Sequence, residues 1–370
     1  MATDPAEQVK AREFKCTACG GEQSYDAASG QLKCKFCGAL RAVPAGAGEV
    51  VEHDFAAGLA AAPRGLDAPT TLRAAKCQEC GANVVFPDGQ TAARCTFCGS
   101  PKVLEQSENA QAIRPESLLP FGIDKKRANE SFAKWLAGLW FRPSNLKRLA
   151  KVQDLAGVYV PFWTYDAHVD SSWTAEAGYY YYVDEEFTAQ ENGQTVTKTR
   201  QVRHTRWESA WGRRADDFDD VLVCASQGLP RELADHFKTF DTQKLVPYSA
   251  GFLAGWRAEE YAIDLQGGFS LAQQKMAAAQ EQRCAHDVPG DTHRNLSIDN
   301  SYSAVTFKHV LLPLWIAAYR YQKKVYRFLV NGQTGEVVGK APWSILKITL
   351  FVLGLALVAF LLYYFFGKPQ

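Results

Sequence analysis

Lys15-Cys-Thr-Ala-Cys-Gly20 and Lys33-Cys-Lys-Phe-Cys-Gly38 return as Lys76-Cys-Gln-Glu-Cys-Gly81 and Arg94-Cys-Thr-Phe-Cys-Gly99, each cysteine 61 residues after its counterpart. In each set, fourteen residues separate the two CxxC pairs. A CxxC turn brings two thiolates onto one ion, and two such turns complete a tetrahedral site. The glycine that follows lets the backbone turn tightly. Cys16, Cys19, Cys34 and Cys37, then Cys77, Cys80, Cys95 and Cys98, are therefore predicted to hold two structural Zn2+ ions, one per zinc ribbon. A module of about 25 residues buries too little surface to fold alone, so metal binding supplies the folding energy. Four cysteines per ion leave no open coordination position, so neither site is expected to be catalytic. The matched pairs of pairs also favour zinc over a thioredoxin-like redox pair or an iron–sulfur cluster.

The rest of the chain bounds what such ribbons do. Of 370 residues, 47% are hydrophobic and 22% charged, enough for a sizeable core beyond the metal modules. Lys and Arg total 41 against 40 Asp and Glu, which gives no overall field to attract phosphate backbones. Residues 1–45 hold six basic and five acidic side chains, and residues 75–105 three of each, so neither ribbon is a basic patch. Nucleic acid is thus an unfavoured partner, and Phe36 and Phe97 are expected in the ribbon cores rather than as base-stacking platforms. Residues 1–15 carry charges of both signs and do not read as a signal peptide. Eight of ten cysteines lie in CxxC pairs, the arithmetic of metal ligation in a reducing compartment, and Cys224 and Cys284 read as ordinary small residues.

The expected organisation is a ribbon over 1–45, an Ala/Pro/Gly-rich linker over 46–74 with a short helix around 51–61, and a second ribbon over 75–105. An α+β cytoplasmic domain over 106–343 and a transmembrane helix over 344–367 follow. Within the α+β domain, residues 124–140 place Ala128, Phe132, Trp135, Leu136 and Leu139 on one helical stripe, with Asp124 as N-cap. A second short helix is expected after Pro143. From Gly157 the pattern is β-rich, and Asn192-Gly193 marks a hairpin. Val158-Tyr-Val-Pro-Phe-Trp163 is echoed by Val310-Leu-Leu-Pro-Leu-Trp315, and the proline in each predicts a strand edge or start. Residues 271–286 read as a helix, and Asn331-Gly-Gln-Thr334 as the turn of a closing hairpin.

Ile348 to Phe366 is an uncharged run that reaches about 28 Å as a helix, the span of a bilayer core. Lys340, Lys347 and the basic residues upstream predict that the N-terminal bulk is cytoplasmic. The stretch Arg200, Arg203, His204, Arg206, Arg213 and Arg214 is followed at once by Asp216, Asp217, Asp219 and Asp220, and reads as a solvated strand and turn rather than a phosphate site. The Walker A, HExxH, GxSxG and GxGxxG motifs are missing, so no catalytic residue is assigned and the chain is not expected to be an enzyme.

The two ribbons, Leu119-Pro-Phe121, Gly157 to Trp163, Leu311 to Trp315, Val330 to Gly335 and Pro342-Trp-Ser344 before the apolar helix carry a resemblance that covers the whole chain. The layout resembles a bacterial family of tail-anchored double zinc-ribbon proteins, often labelled TFIIB-type zinc ribbon-containing or primosomal protein N′-like. Some relatives are encoded beside phage-shock protein A and SPFH/flotillin-like proteins. The resemblance implies a single-pass inner-membrane adaptor or scaffold that docks such proteins in a membrane-stress assembly. The alternative expectation is a replication- or transcription-associated nucleic-acid-binding ribbon protein.

Overall fold

The computed structural model describes residues 14–44, 46, 48–61, 73–86, 95, 97, 103–106, 115–144, 146, 155–191, 194–237, 240–321 and 324–366. In chain order, β1 (Gln23–Asp26), β2 (Gln31–Cys34) and β3 (Leu40–Arg41) form ribbon 1. Then come β4 (His53–Asp54), α1 (Phe55–Ala61), and β5 (Arg73–Cys77), β6 (Asn83–Phe86) and β7 (Val103–Gln106) of ribbon 2. The large domain holds β8 (Ser117–Leu118), α2 (Lys125–Ala137), β9 (Ala156–Glu191), β10 (Gln194–Cys224) and α3 (Arg231–Ala234). It continues with β11 (Val246–Pro247), α4 (Ala250–Leu253), β12 (Arg257–Glu259), α5 (Leu265–Asp287), β13 (Thr292–Tyr321), β14 (Lys324–Asn331) and β15 (Val337–Gly339). The apolar helix α6 (Ile345–Phe366) ends the described chain. The fold is mixed α and β around one 12-stranded sheet.

The sheet is built on three very long strands. β9 runs for 36 residues, β10 for 31 and β13 for 30, all antiparallel neighbours in the order β10-β9-β13. The sequence pattern reads as β-rich from Gly157 without giving this length. β9 runs on without a break, and small side chains let it do so where it is covered: Ala175 and Ala177 are buried against Cys284 of the flanking helix. Gly178, for example, has no room for a Cβ beside Trp207 and Thr205. Glu191 pairs with Gln194 across the Asn-Gly position, as a two-residue hairpin requires.

The two echoed segments pair with each other: Val310 faces Phe162, Leu312 faces Val160 and Leu314 faces Val158. Both prolines therefore lie in central strands, not at edges as expected. The reason lies in their neighbours. The Pro161 carbonyl accepts from Ala225 N–H at 3.0 Å, so the imide nitrogen faces the gap between β12, which ends its pairing at Tyr159, and β10, which reaches only to Phe162. The Pro313 carbonyl likewise accepts from Gly332 N–H at 2.8 Å, between the pairings to β8 and β14. No ladder hydrogen bond is lost at either position.

One face of the long sheet is covered by α5, whose buried Leu265, Gly268, Ala272, Met276, Gln280 and Cys284 form a single stripe. Asp264 caps its first turn by accepting from Gly267 N–H at 2.7 Å. α2 is capped by Asp124, as expected, and buries Ala128, Phe132 and Leu136. The helix expected after Pro143 falls largely outside the described residues. The linker carries α1 within the expected span, but it is fastened to the sheet: β4 pairs with β13, and Glu52 receives the Lys308 ammonium at 3.0 Å.

Candidate metal centres

Three of the four CxxCG turns lie within the described residues, and they repeat one hydrogen-bond pattern. Gly20 N–H donates to Cys16 O at 2.8 Å, Gly38 to Cys34 O at 3.1 Å, and Gly81 to Cys77 O at 2.9 Å. In return, Cys16, Cys34 and Cys77 N–H donate to the carbonyls of Gly21, Ala39 and Ala82. The three glycines hold φ of +73°, +74° and +76°, the left-handed region that a side chain would strain.

In ribbon 1 the Sγ atoms of Cys16, Cys19, Cys34 and Cys37 all lie within 4.8 Å of one another. Cys16 and Cys37 are 3.6 Å apart, and Cys19 and Cys34 3.5 Å. A tetrahedral ion with bonds of about 2.3 Å sets its sulfurs about 3.8 Å apart, whereas a disulfide needs about 2.05 Å. The set therefore fits a thiophilic ion such as zinc and fits no disulfide. The amides of Cys37 and Phe36 point at Cys34 Sγ and hold its thiol down to about 6, while the crowding of the neighbouring thiols pushes Cys37 up to about 12, so the four compete for one negative charge. In ribbon 2, Cys77, Cys80 and Cys95 lie within 4.8 Å of one another, and Phe97 N–H donates to Cys95 Sγ at 3.4 Å, matching Phe36 in the first ribbon. Cys98, the fourth expected ligand, lies outside the described residues.

Over 245 residues the chain is 26% identical to a Bacillus subtilis (strain 168) protein described as "Uncharacterized protein YdjG", spanning 66% of this chain and 68% of that one. No protein-family model matches the chain. No solved structure matches it either.

The two ribbons are set differently against the large domain. Ribbon 2 is part of the main sheet, since β6 pairs with β12, and Cys77, Ala82, Cys95 and Phe97 belong to the core beside Val160, Phe162 and Leu229. Ribbon 1 keeps its own three-stranded sheet but docks through Tyr25 and Leu32. Tyr25 Oη donates to Phe121 O at 3.1 Å, and Trp256 Nε1 donates to Tyr25 O at 2.9 Å. The duplicated aromatic consequently has two fates. Phe97 is 0% exposed, as expected, whereas Phe36 is 77% exposed and lies over Gly21, outside any core. Leu40 is also exposed on ribbon 1.

A further acidic group, Glu52, Asp166 and Asp219, brings three carboxylates within 4.8 Å. Lys308 sits in this neighbourhood, 2.8 Å from Asp220 and 3.0 Å from Glu52, and Thr306 Oγ1 donates to Asp166 at 2.9 Å, so it reads as an ion-pair network. Sequence reasoning missed this group, because Glu52 and Lys308 are joined only by the fold. Cys224 and Cys284 are buried in separate clusters, and burial pushes the Cys224 thiol up to about 12 and the Cys284 thiol upward. The arginine stretch is part of β10, with no turn, and three of its arginines are paired locally: Arg200 with Glu185, Arg206 with Glu208, and Arg214 with Asp216 and Asp287.

α6 is the one helix among the described residues long and apolar enough to cross a membrane, over Ile345–Tyr364. It is exposed along its length, apart from contacts at its start such as Phe351 against Phe141. Exposed Trp140 and Trp343 flank that start, and the Arg142 guanidinium lies 3.7 Å over the Trp343 ring.

Proposed function

We propose that the chain is a membrane-anchored zinc-ribbon adaptor that docks protein partners at the cytoplasmic face of the bacterial inner membrane. The observation that carries this reading is the unequal use of the duplicated knuckle. Ribbon 2 spends its aromatic on the core, while ribbon 1 holds Phe36 out on a metal-braced turn and also exposes Leu40. An exposed apolar ring on a turn whose neighbouring Lys35 is already paired with Glu22 suits a protein partner better than a phosphate backbone. Zn2+ is the ion that four thiolates in a closed tetrahedral set suit best, and its role is structural. The exposed helix, a Trp140 and Trp343 collar at its start, and Lys340 and Lys347 nearby support a single-pass anchor with the bulk in the cytoplasm. The partners implied by resemblance are phage-shock protein A-like or SPFH/flotillin-like proteins.

The test is co-purification from membranes. Wild-type chain should retain such a partner, and Phe36→Glu should lose it while keeping membrane association and metal content. Equal retention by Phe36→Glu would overturn the docking role of ribbon 1. Deletion of residues 345–370 should move the protein to the soluble fraction, and continued membrane association would overturn the anchor. Strongly salt-dependent capture of DNA or RNA by the full chain would replace this reading with the nucleic-acid one.

A further inference from the structure

Among the described residues, β10 pairs with β9 alone. Its other edge stays without a strand from Arg200 to Val221, until Lys275 Nζ closes it by donating to Leu222 O at 2.7 Å. α5 packs on the sheet face and reaches β10 through Arg283, Asp287 and Lys275, and no described strand besides β9 pairs with β10. Pairing of β9 with β13 stops at Gly178, so Tyr179–Glu191 and the facing part of β10 project as a two-stranded ribbon for about 40 Å. A lone two-stranded ribbon is marginal in water, and a long unpaired edge is a template for another strand.

The charges along that edge say what strand fits. Its first half is basic, with Arg200, Arg203 and Arg206, and its last part is acidic, with Asp216, Asp217, Asp219 and Asp220; Arg200, Arg206, Asp216, Asp217 and Asp220 also hold partners within the chain, so the match turns on Arg203 against Asp219. An antiparallel copy of the same strand sets basic half against acidic half. A two-fold axis normal to the sheet must place one residue opposite itself, because directly opposed residues share a face. An axis at Trp211 sets Arg206 against Asp216, Glu208 against Arg214, and Arg203 against Asp219 at the bulge, with no like-charged pair. An axis at 210 opposes Arg206 to Arg214, and one at 212 opposes Glu208 to Asp216, both unfavourable. Trp211 itself is 79% exposed on the face away from α5, where its copy would meet it.

We propose that two copies of this chain associate edge to edge through β10, antiparallel and centred on Trp211, to form one continuous sheet. The inner part of each projecting ribbon, Gln201 to Arg206, then lies along the second copy's β10 at its Asp216 to Val221 and gains the third strand it lacks. Existing pairs of Arg214 and Asp216 with Arg283 and Asp287 on α5 widen into a network across the junction.

The experiment uses the full chain in nanodiscs. Opposed Cα atoms in an antiparallel pair lie about 4.5–5.5 Å apart, within disulfide reach. Trp211→Cys should therefore form a covalent dimer under mild oxidation, while Thr205→Cys, placed far from its own copy, should not. Mixed Thr205→Cys and Asp217→Cys chains should cross-link to each other. Arg203→Glu should weaken the dimer about tenfold, and adding Asp219→Arg should restore it. Monomeric wild-type protein, equal cross-linking of Trp211→Cys and Thr205→Cys, or failure of Asp219→Arg to restore the dimer would overturn the proposal.

Discussion

Asp166 accepts the backbone N–H of Asp220 at 2.6 Å, at the point where β10 is bulged and Asp220 takes φ of +50°. Its other oxygen accepts from Thr306, beside the bulge of β13 where Ala304 takes φ of +49°. One side chain on the central strand thus satisfies irregularities on both neighbours. Asp166→Ala should lower stability by about 1–3 kcal/mol, because a bulged N–H loses its acceptor. Asp166→Asn keeps an acceptor and should lose less, as read by urea denaturation in fixed detergent.

Phe97 and Phe36 should differ as sharply in stability as in exposure. Phe97→Ala opens a cavity in the main core and should cost about 3–5 kcal/mol. Phe36→Ala should stay within about 0.5 kcal/mol, since its ring is solvated. Paired denaturation curves check the contrast.

Metal removal should reach beyond the ribbons. Structural zinc contributes an apparent free energy of about 10–16 kcal/mol to a site of this kind. Cys16→Ser with Cys19→Ser should halve the metal content measured by mass spectrometry. Loss of ribbon 1 also frees Trp256 Nε1 from Tyr25 O, so tryptophan emission should shift to the red.

His168 offers a pH signature. The Asp217 carboxylate, 2.6 Å from Nδ1, raises its pKa above 6.5, with Asp170 adding to the effect. The raised value means that the stabilisation is complete below pH 6.5 and is lost as pH rises through the folded value. An imidazole NMR titration should give a midpoint above 6.5, and Asp217→Asn should bring it back toward that value.

Local chemistry made much of this legible. Gly20, Gly38 and Gly81 announce left-handed turns, Asp124 announces a cap, and Asn192-Gly193 announces a hairpin, each because a few adjacent residues determine the backbone. Position in the sheet was not legible. Pro161 and Pro313 look like edge residues until their neighbours are seen to end beside them. Phe36 and Phe97 stand in nearly identical words, and only distant partners such as Ala82, packed against Gly228, decide which is sealed. The length of β9 escaped for the same reason, since what supports its middle comes from Trp207 and α5.

The bond from Trp256 to Tyr25 spans 231 positions, and it orders events during synthesis. Ribbon 1 can take up metal early but cannot seat until β12 and its surroundings exist. β9 waits longer still, for β13. Because α6 leaves the ribosome after all of these strands, the sheet can close before that apolar helix has emerged. A nascent chain interrupted before Thr292 leaves Val158 to Trp163 bare to chaperones and proteases.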